Sequence, residues 1–83
     1  MGILAENLRV GRDEVDLVAV HEGERIVVEV KTRRGADPVE QFTARQAVLL
    51  RRAAAGIGAS RCDLITVSLG TRGVEVRWLQ GVC

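Results

Sequence analysis

IVVEVKTRR, residues 26–34, is the stretch on which the reading of this chain turns. A β-branched, apolar run leads directly into Glu29, Val30 and Lys31 and then into Arg33 and Arg34, so ionisable groups emerge from what reads as a buried strand. Taking a carboxylate and an amine out of water is costly, and their presence there calls for a chemical reason.

The neighbouring residues supply one. DEVDLVAV (13–20) and ERIVVEVK (24–31) both read as strands, separated by His21, Glu22 and Gly23. A two-residue turn at Glu22 and Gly23 puts Asp16 opposite Glu29 and Glu14 opposite Lys31. Strict alternation then gathers Glu14, Asp16, Glu29 and Lys31 on one face at one end of the hairpin. Two opposed carboxylates repel, so one takes up a proton or the pair shares a divalent cation, and hard cations such as magnesium suit oxygen ligands. With a cation held there, Lys31 is placed to orient a water or steady developing charge, which outlines a hydrolytic site for a phosphodiester. Glu14 and Lys31 read equally well as a cross-strand ion pair contributing about 0.2–1 kcal/mol.

These residues resemble the active-site signature of the PD-(D/E)xK nuclease superfamily. The flanking wording, EVDLVAV, VVEVKTRR and TARQAVLLRRAA, resembles the YraN-like family of small bacterial proteins with that nuclease fold, over nearly the whole chain. The resemblance implies a restriction-endonuclease-like fold and a magnesium or manganese ion held by Asp16, Glu29 and the backbone carbonyl of Val30, with Lys31 positioning the water. Some branches of the superfamily carry a glutamine on the following helix near the active site, and Gln46 resembles it. Leu50 stands where a tyrosine often accompanies that glutamine. Family members usually open with a helix bearing a further glutamate, whereas this chain begins inside the first strand; one acid and one covering helix are expected to be missing.

Eighty-three residues suit one small domain, residues 1–83, near the lower size limit for a self-sufficient core. With a covering helix missing, a homodimer or an exchanged segment covering an exposed sheet face is expected. The net charge of +1 does not by itself announce a nucleic-acid binder. Eleven of the twelve basic residues are arginine and Lys31 is the one lysine, consistent with a position where a compact, titratable cation is needed. Cys62 and Cys83 have no metal-ligand spacing; Cys62 reads as a small buried hydrophobe and Cys83 as a loose terminal thiol, both reduced. No signal peptide or membrane-spanning run is visible, so a cytoplasmic location is expected.

Along the rest of the chain, residues 3–10 read as a first strand turned by Gly11 and Arg12 into the second. Arg33 to Asp37 read as a basic loop, Asp37 and Pro38 as an N-cap and first helical position, and residues 39–42 as a short turn. Thr43 caps a main helix over 44–57, with Ala47, Leu49, Leu50, Ala53, Ala54 and Ile57 in an apolar arc and Arg45, Arg51 and Arg52 opposite. Residues 63–69 and 74–79 are two further strands joined by a tight hairpin, and Trp78 is a core or interface anchor. The expected architecture is an α/β mixed sheet, β-β-β-α-β-β, with the helix on one face.

The function expected from this pattern is metal-dependent hydrolysis of nucleic acid, DNA or RNA, with Arg33, Arg34, Arg45, Arg51 and Arg52 meeting phosphates. The alternatives are a module of the same fold that holds nucleic acid without cutting it, and one whose exposed sheet face serves self-association or the docking of a partner protein.

Overall fold

The structure is a computed structural model that describes residues 1–35 and 38–83, and of Glu40 the backbone alone. Five strands and one helix follow in the order β1 (Gly2–Val10), β2 (Asp13–His21), β3 (Glu24–Arg34), α1 (Ala44–Gly56), β4 (Arg61–Gly70) and β5 (Gly73–Leu79), with a 3-10 turn at Pro38–Gln41. The strands lie side by side in sequence order. β3 and β4 are parallel and the other neighbours antiparallel, because the connection through α1 carries the chain back across the sheet.

Turn chemistry fixes the hairpins. Glu22 and Gly23 both have positive φ, 50° and 80°, which is the backbone of a tight I′ turn and sets His21 opposite Glu24. β3 is longer than expected: Arg33 and Arg34 remain in the strand, paired with Ser68 and Leu69 of β4, rather than opening a loop. α1 stops one residue short of the expected end, with Ile57 as its C-cap. The N-cap expected at Asp37 lies outside the described residues.

One sheet face packs on α1. Val15, Val18, Val27 and Cys62 meet Leu50, Ala53 and Ala54 there, with Phe42 and Ile57 at the margins. The helix closes so tightly on the β1–β2 end that a Cβ at Gly56 would stand 2.8 Å from a Val10 methyl. On the other face Ala19, Ile26 and Val28 are buried with Leu17, Val30 and Ile65 against them. Trp78 reaches across this face to His21, ring to ring at 4.7 Å and edge-on, which makes His21 a packing residue as well as the end of β2.

Alternation breaks at Leu4, between Ile3 and Ala5, and again around Asn7, and the second break matters for the site. Val15 and Val18, three residues apart, both belong to the helix-side cluster, as do Ala5 and Leu8 on β1. Between them the β1–β2 register passes from Leu8 opposite Val15 to Glu6 opposite Leu17, and Asn7 takes a φ of 50°. The two strands change phase together around Asn7 and Asp16.

The end of the chain corrects the reading of the cysteines. After β5 it turns back beside β4, where the Val82 N–H donates to the Cys62 carbonyl at 2.9 Å. Cys83 and Cys62, their Cα atoms 5.6 Å apart, form a disulfide, so neither is the reduced thiol expected. Buried Asp63 anchors this return by accepting from the Gly81 N–H, the Trp78 indole and both arms of Arg61. Among the described residues no helix is long and apolar enough to cross a membrane.

Candidate functional site

The β2–β3 ladder runs from His21 opposite Glu24 to Leu17 opposite Val28. Asp16 and Glu29 come next in this register. In place of a further ladder bond, the Asp16 carboxylate itself accepts from the Val30 N–H at 2.9 Å. The N–H and C=O of one extended residue point the same way, so the Val30 carbonyl also faces the β2 side, where backbone pairing has ended.

Glu29 belongs with Val27 on the helix side of β3. Its carboxyl is raised from the ordinary 4.5 to about 7, first by burial, then by hydrogen bonding to Asp16 and repulsion from its charge, with Lys31 pulling the other way. Lys31 Nζ lies 3.7 Å from Glu29 Oε1, on the same strand, instead of crossing to Glu14 as the sequence suggested. Two opposed acids and one amine thus share a partly buried corner.

Glu14 does not join them as strict alternation required. The phase change sends Asp13 to the helix side, where Arg52 grips it through two bonds of 2.8 and 2.6 Å, and leaves Glu14 exposed. Glu14 still lines the rim of a cleft of about 290 Å³ that also has Glu29, Asp13, Arg12, Gln46 and Leu49 in its walls.

Gln46 serves the helix as well as the cleft. Its Oε1 accepts from the Thr43 N–H at 3.2 Å while its own N–H donates to Thr43 Oγ1 at 3.2 Å, a reciprocal capping box. The Thr-x-x-Gln spacing at 43–46 is the sequence signal for it. With Oε1 engaged, the amide NH2 is the part left to meet anything in the cleft.

Of the five arginines expected at phosphates, Arg33 and Arg34 lie exposed at the end of β3, and Arg45 and Arg51 lie exposed on α1. Arg52 is committed to Asp13. Asp13, Asp63 and the C-terminal return were not singled out by sequence reasoning. Among the described residues no group of three or more His, Cys, Asp or Glu side chains is arranged to hold a metal ion.

The donor set nevertheless suits a hard divalent cation in kind. Asp16 keeps Oδ1 outside its bond to Val30, Glu29 lies beside it with its carboxyl raised toward 7 by burial and by Asp16, and a backbone carbonyl faces the same gap.

The chain is thus a mixed α/β protein with an acid pair and a lysine at a broken sheet ladder. It belongs to the uncharacterised protein family UPF0102, whose model matches residues 1–67, and this is the YraN-like family that the wording of β2, β3 and α1 resembles. A UPF0102 protein of Roseiflexus castenholzii is 38% identical over 86 residues, covering 89% of this chain and 69% of the relative. One from Acidothermus cellulolyticus is 39% identical over 77 residues, covering 88% of this chain and 58% of the relative. Among solved structures, the crystal structure of SSO0001 aligns with 95% of this chain and 39% of its own, at 16% identity and a TM-score of 0.49. That likeness is too low to carry weight for fold or function.

Proposed function

We propose that this chain has the restriction-endonuclease-like fold and acts as a metal-dependent nuclease of the PD-(D/E)xK type, hydrolysing phosphodiester bonds in nucleic acid. The observation that carries this reading is the arrangement where the β2–β3 ladder ends: the Asp16 carboxylate takes the Val30 N–H at 2.9 Å beside half-buried Glu29, with Lys31 3.7 Å from Glu29, and burial and Asp16 raise the Glu29 carboxyl to about 7. An acid pair under such repulsion is a standing demand for positive charge.

Asp16, Glu29 and the Val30 carbonyl would hold magnesium or manganese. When bound, such an ion supplies Lewis acidity toward a phosphoryl oxygen and makes a water more acidic. Asp16 stays oriented for this task because the Val30 N–H fixes its Oδ2. Lys31 offers an ammonium beside Glu29, where it can orient a water and meet charge developing on the phosphate. The Gln46 amide can donate into the same cleft. Arg45 and Arg51 on α1, with Arg33 and Arg34 on β3, are available to phosphates flanking the scissile bond. Arg52 is the weakest of the five for this role, since Asp13 already neutralises it.

A second reading is a protein that binds nucleic acid without cutting it. It is favoured by the acid set among the described residues, where no group of three or more His, Cys, Asp or Glu side chains is arranged around a common point. The deciding experiment incubates the chain and its Asp16→Ala variant with labelled single-stranded, duplex and branched DNA, and with RNA, in magnesium or manganese. Cleavage by the wild type that disappears in the variant supports the nuclease. Binding without cleavage by either supports the second reading.

A further inference from the structure

A five-stranded open sheet has two edges, and this one treats them differently. The β1 edge is disrupted: its register shifts between Ile3 and Ala5, and Asn7 has positive φ. Bulges and kinks of this kind keep an edge strand from pairing with another chain. β5 has no such protection. Its register against β4 runs without interruption from Gly73 opposite Gly70 to Leu79 opposite Leu64, it contains no proline, and every residue but Leu79 is exposed.

The exposed side chains of β5 are not those of a solvated edge. Val74, Val76 and Trp78 are 63, 61 and 37% exposed. They share the face of Leu69, Val67 and Ile65, opposite α1, while Glu75 and Arg77 stand opposite Ser68 and Thr66 on the helix side. The run Val74-Glu75-Val76-Arg77-Trp78 is self-complementary. Laid antiparallel against a second copy with Val76 opposite Val76, it sets Glu75 against the partner's Arg77 twice and Val74 against the partner's Trp78 twice. Neighbouring registers lose this match. Centring on Glu75 or on Arg77 opposes like charges, and the intervening registers set a charge against a valine.

We propose that β5 is a homodimer interface, through which two copies of this chain pair antiparallel about Val76 into one continuous sheet. Directly opposed residues share a face, so both helices, and with them both Glu29 corners, lie on the same side of the joined sheet. The two apolar strips of Val74, Val76 and Trp78 then merge on the other side, each continuing to its own His21. The pairing asks nothing of the acid cluster and stands whether or not the chain cleaves nucleic acid.

Sedimentation of the full chain over a range of concentrations tests it. The wild type is expected to dimerise, and Arg77→Glu or Glu75→Arg to weaken the dimer roughly tenfold or more by opposing like charges twice. The double variant Glu75→Arg with Arg77→Glu restores opposite charges in the same register and is expected to recover the dimer. Register is read independently by oxidative crosslinking, since the described chain offers no other free thiol. Val76→Cys should crosslink to itself and Val74→Cys should not. All of these positions are exposed, and circular dichroism verifies that each variant is folded. A chain that stays monomeric throughout, a dimer indifferent to the charge swaps, or crosslinking at position 74 in preference to 76 overturns the proposal.

Discussion

The Asp16 carboxylate takes the backbone N–H of Val30 at 2.9 Å, so one side chain ends the β2–β3 ladder and orients the acid pair at once. Its removal has two separable effects. Asp16→Ala leaves a part-buried N–H without its acceptor and is expected to cost about 1–3 kcal/mol in urea unfolding. Asp16→Asn keeps an oxygen for Val30 and should lose less than half of that. Both variants are expected to lose metal-dependent cleavage, so equal loss of activity with unequal loss of stability separates the charge from the hydrogen bond.

Glu29 makes stability depend on pH in a defined direction. Its carboxyl titrates near 7 in the folded chain and near the ordinary 4.5 when unfolded, so between these values the folded state binds more protons. The contribution is fully present below about 4.5 and is lost as pH rises toward 7. Partial exposure screens the effect, leaving about 1–2 kcal/mol. In chelator, wild-type stability should therefore fall across this window, Glu29→Gln should flatten the fall, and at pH 8 the variant should be the more stable of the two. Magnesium or manganese should restore wild-type stability at pH 8 by replacing the lost proton, with no gain for Glu29→Gln. Denaturant titrations at several pH values, with and without metal, read all of these.

The elements were legible because each rests on local chemistry. Glu22-Gly23 can only turn tightly, the β-branched runs on either side pair in the register that turn dictates, and Thr43 followed by the apolar arc announces α1. Asp16 and Glu29 were found together for the same reason. What failed was alternation at Glu14, because the coordinated phase change at Asn7 and Asp16 depends on two strands at once and leaves no mark in either alone. The Cys62–Cys83 disulfide was hidden similarly. It needs residues 80–83 to return along β4, and that return depends on a hydrogen bond from Gly81 to an aspartate eighteen positions earlier.

The arginines on α1 should divide by their partners. Arg52 is held in a two-bond grip by Asp13, whose carboxyl is in turn held below the ordinary carboxylate range by that bond. Arg52→Ala would thus alter nucleic-acid affinity little and loosen the packing of α1 on the β1–β2 turn. Arg45→Ala removes an exposed cation and should weaken binding evenly across sequences while lowering the salt slope by about 1. Binding titrations over a range of salt concentrations compare the two. Equal salt slopes for both variants would remove Arg45 from the interface.

Asp63 should be the residue whose loss the fold tolerates least outside the apolar core. Burial pushes its carboxyl up, yet hydrogen bonds from Arg61, the Gly81 N–H and the Trp78 indole together hold it below the ordinary range. Asp63→Ala removes the principal partner of the Arg61 guanidinium, which keeps its contact with Glu24, and leaves the Trp78 and Gly81 donors without this acceptor. Breaking one side of a buried, charge-assisted network is expected to cost about 3–5 kcal/mol. Because the carboxylate is favoured in the folded state, its contribution is present above the ordinary 3.8 and fades as pH falls below it, so Asp63→Asn should give a shallower acid limb than wild type. Hydrogen exchange at Gly81 and Val82 localises the effect. In the wild type these amides should stay protected after the disulfide is reduced, since Asp63 and the Cys62 carbonyl still hold them, whereas in Asp63→Ala protection should persist only while the disulfide is intact.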